Sequence, residues 1–287
     1  MYVKPTAPRS IGGVLDDAIQ LYRSAFATSW AMALAGQVML AIPAFIIGTR
    51  IKAVAAVPGN PLAMFAVYKS PAVWIPYLVA GILLIGINNA LLLRADAVAT
   101  GKERTAGQSV AAGFRLLPRT LLLFIAILVV CVVVGVLVGV VSVIVSAMPV
   151  VKGLLFLALA VAAFYVGWRI FLANAALVIE DAAVFKALKI SWTLIKNHWW
   201  RTATVYTVAV IMAMVFYFVI AFLSGLVVGL LHGSEPMTTV ISQLIGVIGG
   251  TILMAFIPAV VLVIFYDLKL RRDGADLASR VNALAQQ

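Results

Sequence analysis

Charge is scarce in this chain. Only 11% of its 287 residues are Asp, Glu, Lys or Arg, against about 25% in soluble globular proteins, so the usual solvated polar surface cannot be built. Cysteine is scarcer still. Cys131 stands alone, which excludes a disulfide within the chain, a cysteine metal site and a redox pair. Histidine is limited to His198 and His232. No GxSxG elbow, HExxH zinc helix or phosphate-binding Gly-Lys-Ser/Thr loop occurs, and each of those chemistries needs its residues at that spacing. The sequence therefore nominates no catalytic residue, no metal ligand and no cofactor.

What fills the chain instead is apolar: 64% of it is hydrophobic. Six stretches, 29–48, 73–93, 119–147, 153–173, 202–231 and 238–266, are each long enough to cross a hydrocarbon core that needs about 20 residues of helix. A bilayer forces every backbone polar group to be satisfied within the segment, and uninterrupted apolar runs do this as helices. The alternation of a barrel strand is absent. The sequence thus predicts an all-α, polytopic bundle of six transmembrane helices forming one integral membrane domain over 1–287, with 267–287 as a tail. The lead before the first span holds Asp16 and Asp17, unlike a cleavable signal peptide, so that span is expected to stay in the mature protein. His198 and His232 flank the fifth span at opposite ends, about 30 Å apart across the hydrocarbon, and cannot form a dyad.

Basic residues near span ends are retained in the cytoplasm. Lys4, Arg9 and Arg23 precede the first span. Arg94, Lys102, Arg104, Arg115 and Arg119 lie in the second connection, Lys186, Lys189, Lys196 and Arg201 in the fourth, and Lys269, Arg271, Arg272 and Arg280 in the tail. Of the 21 Lys and Arg, the opposite side holds only Arg50, Lys52, Lys69 and Lys152, and Arg169 lies inside a span. Both termini are expected in the cytoplasm. The net charge of +11 reads as this topology signal. No basic stretch outlasts a membrane flank, so nucleic acid is not an expected partner, whereas anionic headgroups on the cytoplasmic side are.

The cytoplasmic connections share a design. Residues 182–200 set Phe185, Leu188, Trp192, Ile195 and Trp199 at helical spacing against Lys186, Lys189, Thr193, Lys196 and Asn197, the pattern of an amphipathic interfacial helix. Residues 105–117 repeat it with Val110, Phe114 and Leu117, opening on Thr105 and Gln108 at capping-box spacing. Residues 10–26 repeat it again with Leu15, Ala18, Tyr22 and Phe26, with Ser10 as N-cap. Each precedes two spans. The chain therefore reads as three parallel repeats, 10–93, 105–173 and 182–266, each an interfacial helix followed by two spans.

The segments "SIGGVLDDAIQLYRSAF", "VFKALKISWTLIKNHWW" and "IFYDLKLRRDGADL" resemble the membrane domain that precedes bacterial glycerophosphoryl diester phosphodiesterases, and the stand-alone six-span proteins similar to it. The likeness covers nearly the whole chain. It implies a bacterial cytoplasmic (inner) membrane protein, multi-pass. Since the chain stops at Gln287 without a soluble diesterase domain, the resemblance brings neither the enzymatic activity nor a catalytic residue.

Candidate binding residues are few. Arg169 follows Gly167 and Trp168 and precedes an apolar run to Ile179. It either snorkels to the interface or faces the bundle interior with a partner. In the second case Asn88, Asn89, Asn174 and Asp96, expected near the same level, are its partners or co-ligands for an anionic headgroup, beside Lys186, Lys189 and Lys196 on the interfacial helix. Gln37 and Gln243 add polarity at other depths. Gly135 with Gly139, Gly225 with Gly229 and Gly246 with Gly250 are GxxxG pairs that pack helices within the chain or join it to a second copy or another membrane protein. Pro43 and Pro258 are expected to bend spans one and six, and the loop 49–72, with "PGNP" at Pro58 to Pro61, is expected to lie on the membrane or dip into the bundle. The leading functional expectation is a non-enzymatic membrane protein that binds or transports lipid or amphipathic molecules in membrane homeostasis. The rival is a scaffold or assembly subunit, and an enzyme acting on headgroups is a third reading.

Overall fold

The structure is a computed structural model that describes residues 2, 4–55, 67, 69–231 and 235–285, with 52–55, 231, 235, 236 and 275–285 described by backbone alone. The described residues are helical, in the order α1 (Ile11–Ala55), α2 (Pro71–Thr100), α3 (Ala106–Ile144), α4 (Pro149–Ile170), α5 (Ala173–Ile179), α6 (Val184–Ile195), α7 (Trp199–Leu231), α8 (Glu235–Met254) and α9 (Phe256–Ala285). Six helical stretches are long and apolar enough to cross a membrane. The turn at Pro58 to Pro61 and His232 lie outside the described residues.

Local signals act as the sequence predicts. Ser10 Oγ accepts from the Gly13 amide at 3.1 Å, capping α1. At the start of α3 the Thr105 amide donates to Gln108 Oε1 at 2.9 Å and the Gln108 amide to Thr105 Oγ1 at 3.2 Å, a reciprocal capping box that satisfies two otherwise orphaned donors. The sixth span is interrupted at Ala255, which leaves Pro258 in the first turn of α9, where a missing N–H breaks no helical bond. Pro43 lies inside α1 without interrupting it.

The interfacial helices differ from expectation. Residues 10–26 and 105–117 are not separate elements, because α1 and α3 run from them straight into their spans. Only the third stands apart, where a turn at Lys196 to His198 divides α6 from α7.

The chain forms two compact units, Met1–Lys4 with Leu15–Leu117 and Thr207–Leu262, and Pro5–Val14 with Pro118–Tyr206 and Val263–Gln287. These bounds cut across the three segments of the sequence repeat. In the first unit Met32, Ala33, Ile87, Ala90, Leu91 and Ala255 make a core onto which Tyr22, Phe26 and Phe114 pack. There α2 and α3 approach so closely that a Cβ on Gly113 would stand 2.6 Å from the Ala90 nitrogen and the Gly86 oxygen. Tyr22 donates to the Ile252 carbonyl at 2.9 Å, beside the break that leaves α8 without its next turn.

In the second unit α5 packs on α6. Ser191 of α6 accepts from the Leu172 amide at 3.1 Å and donates to the Arg169 carbonyl at 2.8 Å. It thereby bridges the interruption between α4 and α5 and supplies polar partners that the helix break removes. Along α3, α4 and α7 the Val, Leu, Ile and Phe side chains are largely exposed. Water would not tolerate such a surface, whereas lipid tails solvate it as a core would.

Candidate functional site

Arg169 ends α4 with its carbonyl held by Ser191. Its side chain does not reach out to solvent. The residue is 2% exposed, and the guanidinium carbon lies 4.4 Å from the centroid of the Trp192 ring and 5.5 Å from that of Tyr165. Tyr165 stands one helical turn before Arg169 on α4, while Trp192 comes from α6. Nε and Nη1 have no hydrogen-bond partner, and Arg169 has no ion pair among the described residues. A guanidinium cannot shed its charge. Two aromatic faces return up to about 2 kcal/mol when desolvated, less than the several kcal/mol an uncompensated buried ion costs. The site is therefore short of an anion.

The other predicted residues separate between the units. Asn174 and the three lysines belong to the second, with Arg169, whereas Asn88, Asn89 and Asp96 belong to the first. Asn174 is half-buried on α5, and Lys186, Lys189 and Lys196 are exposed. In the first unit Asn88 is exposed and Asn89, fully buried, donates to the Gly113 carbonyl at 3.5 Å. Asp96 pairs with Lys102 at 3.5 Å, a local ion pair.

The side of α6 that packs inward is Val184, Ala187, Ser191, Leu194 and Ile195. Phe185 is 80% and Trp192 39% exposed, and they share the outer side with Lys186 and Lys189. Small residues suit the close approach to α5, and the large aromatics point where lipid would be. Trp192 and Tyr165 were not nominated by the sequence as partners of Arg169. The Tyr165 to Arg169 spacing of one turn was a readable signal, whereas nothing local points to Trp192.

A second polar centre in the same unit is Asp267, 4% exposed. Its Oδ2 accepts from Arg201 Nε at 3.1 Å and from Arg271 Nε at 2.9 Å, and its Oδ1 accepts from the Arg9 amide at 2.9 Å. Both guanidiniums also donate to the Arg9 carbonyl. One carboxylate thus clasps the N-terminal segment, the start of α7 and α9. Beside it, His198 is held neutral to lower pH than an ordinary histidine, first by burial and then by the positive charges of Arg271 and Arg201, with Asp267 opposing.

Because the unfolded chain then binds the extra proton more readily, stability is complete above about pH 6.5 and declines as pH falls toward the depressed folded value. Melting curves in detergent from pH 7.5 to 5 should show a steeper loss for the parent than for His198→Gln. Identical slopes would remove His198 from the account.

Six helical stretches able to span a bilayer, clad in exposed aliphatic side chains and carrying their buried charges toward span ends, define an integral membrane protein. The chain belongs to a family known as a domain of unknown function (DUF7847), whose model matches residues 17–268. No curated protein and no solved structure matches it.

Proposed function

We propose that this membrane protein binds anionic amphiphiles, lipids headed by phosphate or carboxylate, at Arg169, in the service of lipid binding or transport in membrane homeostasis. The observation that carries the reading is the buried guanidinium with two unpartnered donors. Nε and Nη1 lie on different edges of the guanidinium, and each can donate a charge-assisted hydrogen bond to a phosphate or carboxylate oxygen. Trp192 stands over the guanidinium and swings aside to admit the headgroup, whose acyl chains remain in the surrounding hydrocarbon. The exposed Lys186, Lys189 and Lys196 gather anionic lipid at the entrance, each contributing about 1 kcal/mol near a charged surface. Changing the three together to Gln should weaken association with phosphatidylglycerol vesicles at least tenfold while the protein still inserts. Unchanged association would discard the lysines as a lipid contact.

The reading places this face in the cytoplasm of a bacterial inner-membrane protein with both termini inside, as the distribution of Lys and Arg supports. Reporters fused at either terminus or within 100–105 should then register cytoplasm, and fusions at 58–61 the outside. An external signal from either terminus would overturn the orientation. A scaffold is the second reading, favoured by the open space around Gly135, Gly139, Gly225 and Gly229, where another helix would fit closely.

A further inference from the structure

The first unit holds a groove that has no part in the Arg169 site. Helices α1, α7 and α8 leave a laterally open cavity of about 550 Å3, lined among others by Gln37, Tyr217, Ser242, Gln243, Gly246 and Gly250. Gln37 and Gln243 lie inside apolar segments, where water is not available to a carboxamide. Ser242 is occupied, donating to the Thr238 carbonyl at 2.8 Å. Neither glutamine carboxamide makes a hydrogen bond among the described residues. Gly250 is what allows Gln37 into this position, since a Cβ there would collide with Gln37 Oε1.

Each carboxamide offers two donors and one acceptor, and leaving them unmet in hydrocarbon is costly. An occupant that meets them must both donate and accept. It must also be uncharged, because no Asp, Glu, Lys, Arg or His among the described residues lines the groove and an ion brought there would find no countercharge. Its remainder must be apolar, to lie along Leu40, Ala44 and Leu253. We infer that this groove binds an uncharged glycerolipid with a free hydroxyl, of the diacylglycerol kind. The hydroxyl donates to one glutamine Oε1 and accepts from an Nε2–H, and an ester carbonyl accepts from the other glutamine. A quinone, which only accepts, leaves both Oε1 atoms unmet, whereas the single hydroxyl supplies a donor to one of them.

The test uses the full chain in nanodiscs titrated with 1,2-dioleoylglycerol, with binding read by native mass spectrometry. The parent should bind one molecule saturably. Gln37→Leu combined with Gln243→Leu, which keeps bulk and removes hydrogen bonding, should weaken binding at least tenfold. Gly250→Ala displaces Gln37 while leaving both carboxamides in the protein and asks little of the fold. It should weaken binding severalfold, and it decides the matter should the double variant fail to fold. Dioleoylphosphatidylglycerol and an isoprenoid quinone should compete at least tenfold less well than dioleoylglycerol. Unchanged affinity in either variant, or equal competition by the quinone or the anionic lipid, would overturn the inference.

Discussion

Asp267→Asn should lower the unfolding free energy by about 3 to 5 kcal/mol, the size expected when one member of a buried ionic group is removed and its partners are left behind. The carboxylate is almost wholly enclosed and receives Arg201, Arg271 and the Arg9 amide together. An asparagine keeps one acceptor but turns its amide donors toward two guanidiniums. It therefore strands positive charge as well as losing hydrogen bonds. Arg201→Met should cost less, because Arg271 still neutralises the carboxylate through the adjacent turn of α9. Thermal unfolding in detergent measures both. An Asp267→Asn protein that melts with the parent would mean that the clasp contributes nothing to holding the N-terminal segment on α9.

The second large effect is expected at Arg169, and its sign depends on lipid. In lipid-free detergent Arg169→Leu should melt no lower than the parent, since the substitution removes an uncompensated charge whose cost exceeds the return from Trp192 and Tyr165. With phosphatidylglycerol at a hundred times its dissociation constant, the parent should gain about 2.7 kcal/mol from ligand linkage, and Arg169→Leu should gain almost none. Arg169→Lys keeps a charge but loses the rigid planar set of donors, so its gain should be intermediate. Inorganic phosphate alone should give a far smaller gain, because it brings no acyl chain. Equal lipid-induced shifts in the parent, Lys and Leu proteins would reduce Arg169 to a structural cation under aromatic rings.

Much of the fold was legible because its determinants are local. Apolar length gave the six spans, and Thr105 and Gln108 gave a cap, whereas the prolines expected to bend spans one and six did not distinguish the interruption near Pro258 from the continuous helix at Pro43. Arg169 was equally visible, as a lone charge in an apolar run. Its surroundings were not. Trp192 reaches it only because the chain breaks after Ile170 and Ser191 bridges that break, a tertiary arrangement that no spacing encodes. The inward face of α6 was not legible for a different reason. In lipid, hydrophobicity no longer separates inside from outside, so Phe185 and Trp192 face outward while Ala187 and Ser191, which carry little hydrophobic signal, make the packed side. The same holds for Gln37, whose meeting with Gly250 joins α1 to α8 across most of the sequence.

The most direct measurement is an electron cryo-microscopy map of the protein in nanodiscs containing phosphatidylglycerol. The proposed function predicts headgroup density within about 3 Å of Arg169 Nε or Nη1, the distance of a charge-assisted hydrogen bond, with the Trp192 ring displaced from the guanidinium. A map in which Trp192 still covers Arg169 and no headgroup density adjoins either nitrogen would contradict it.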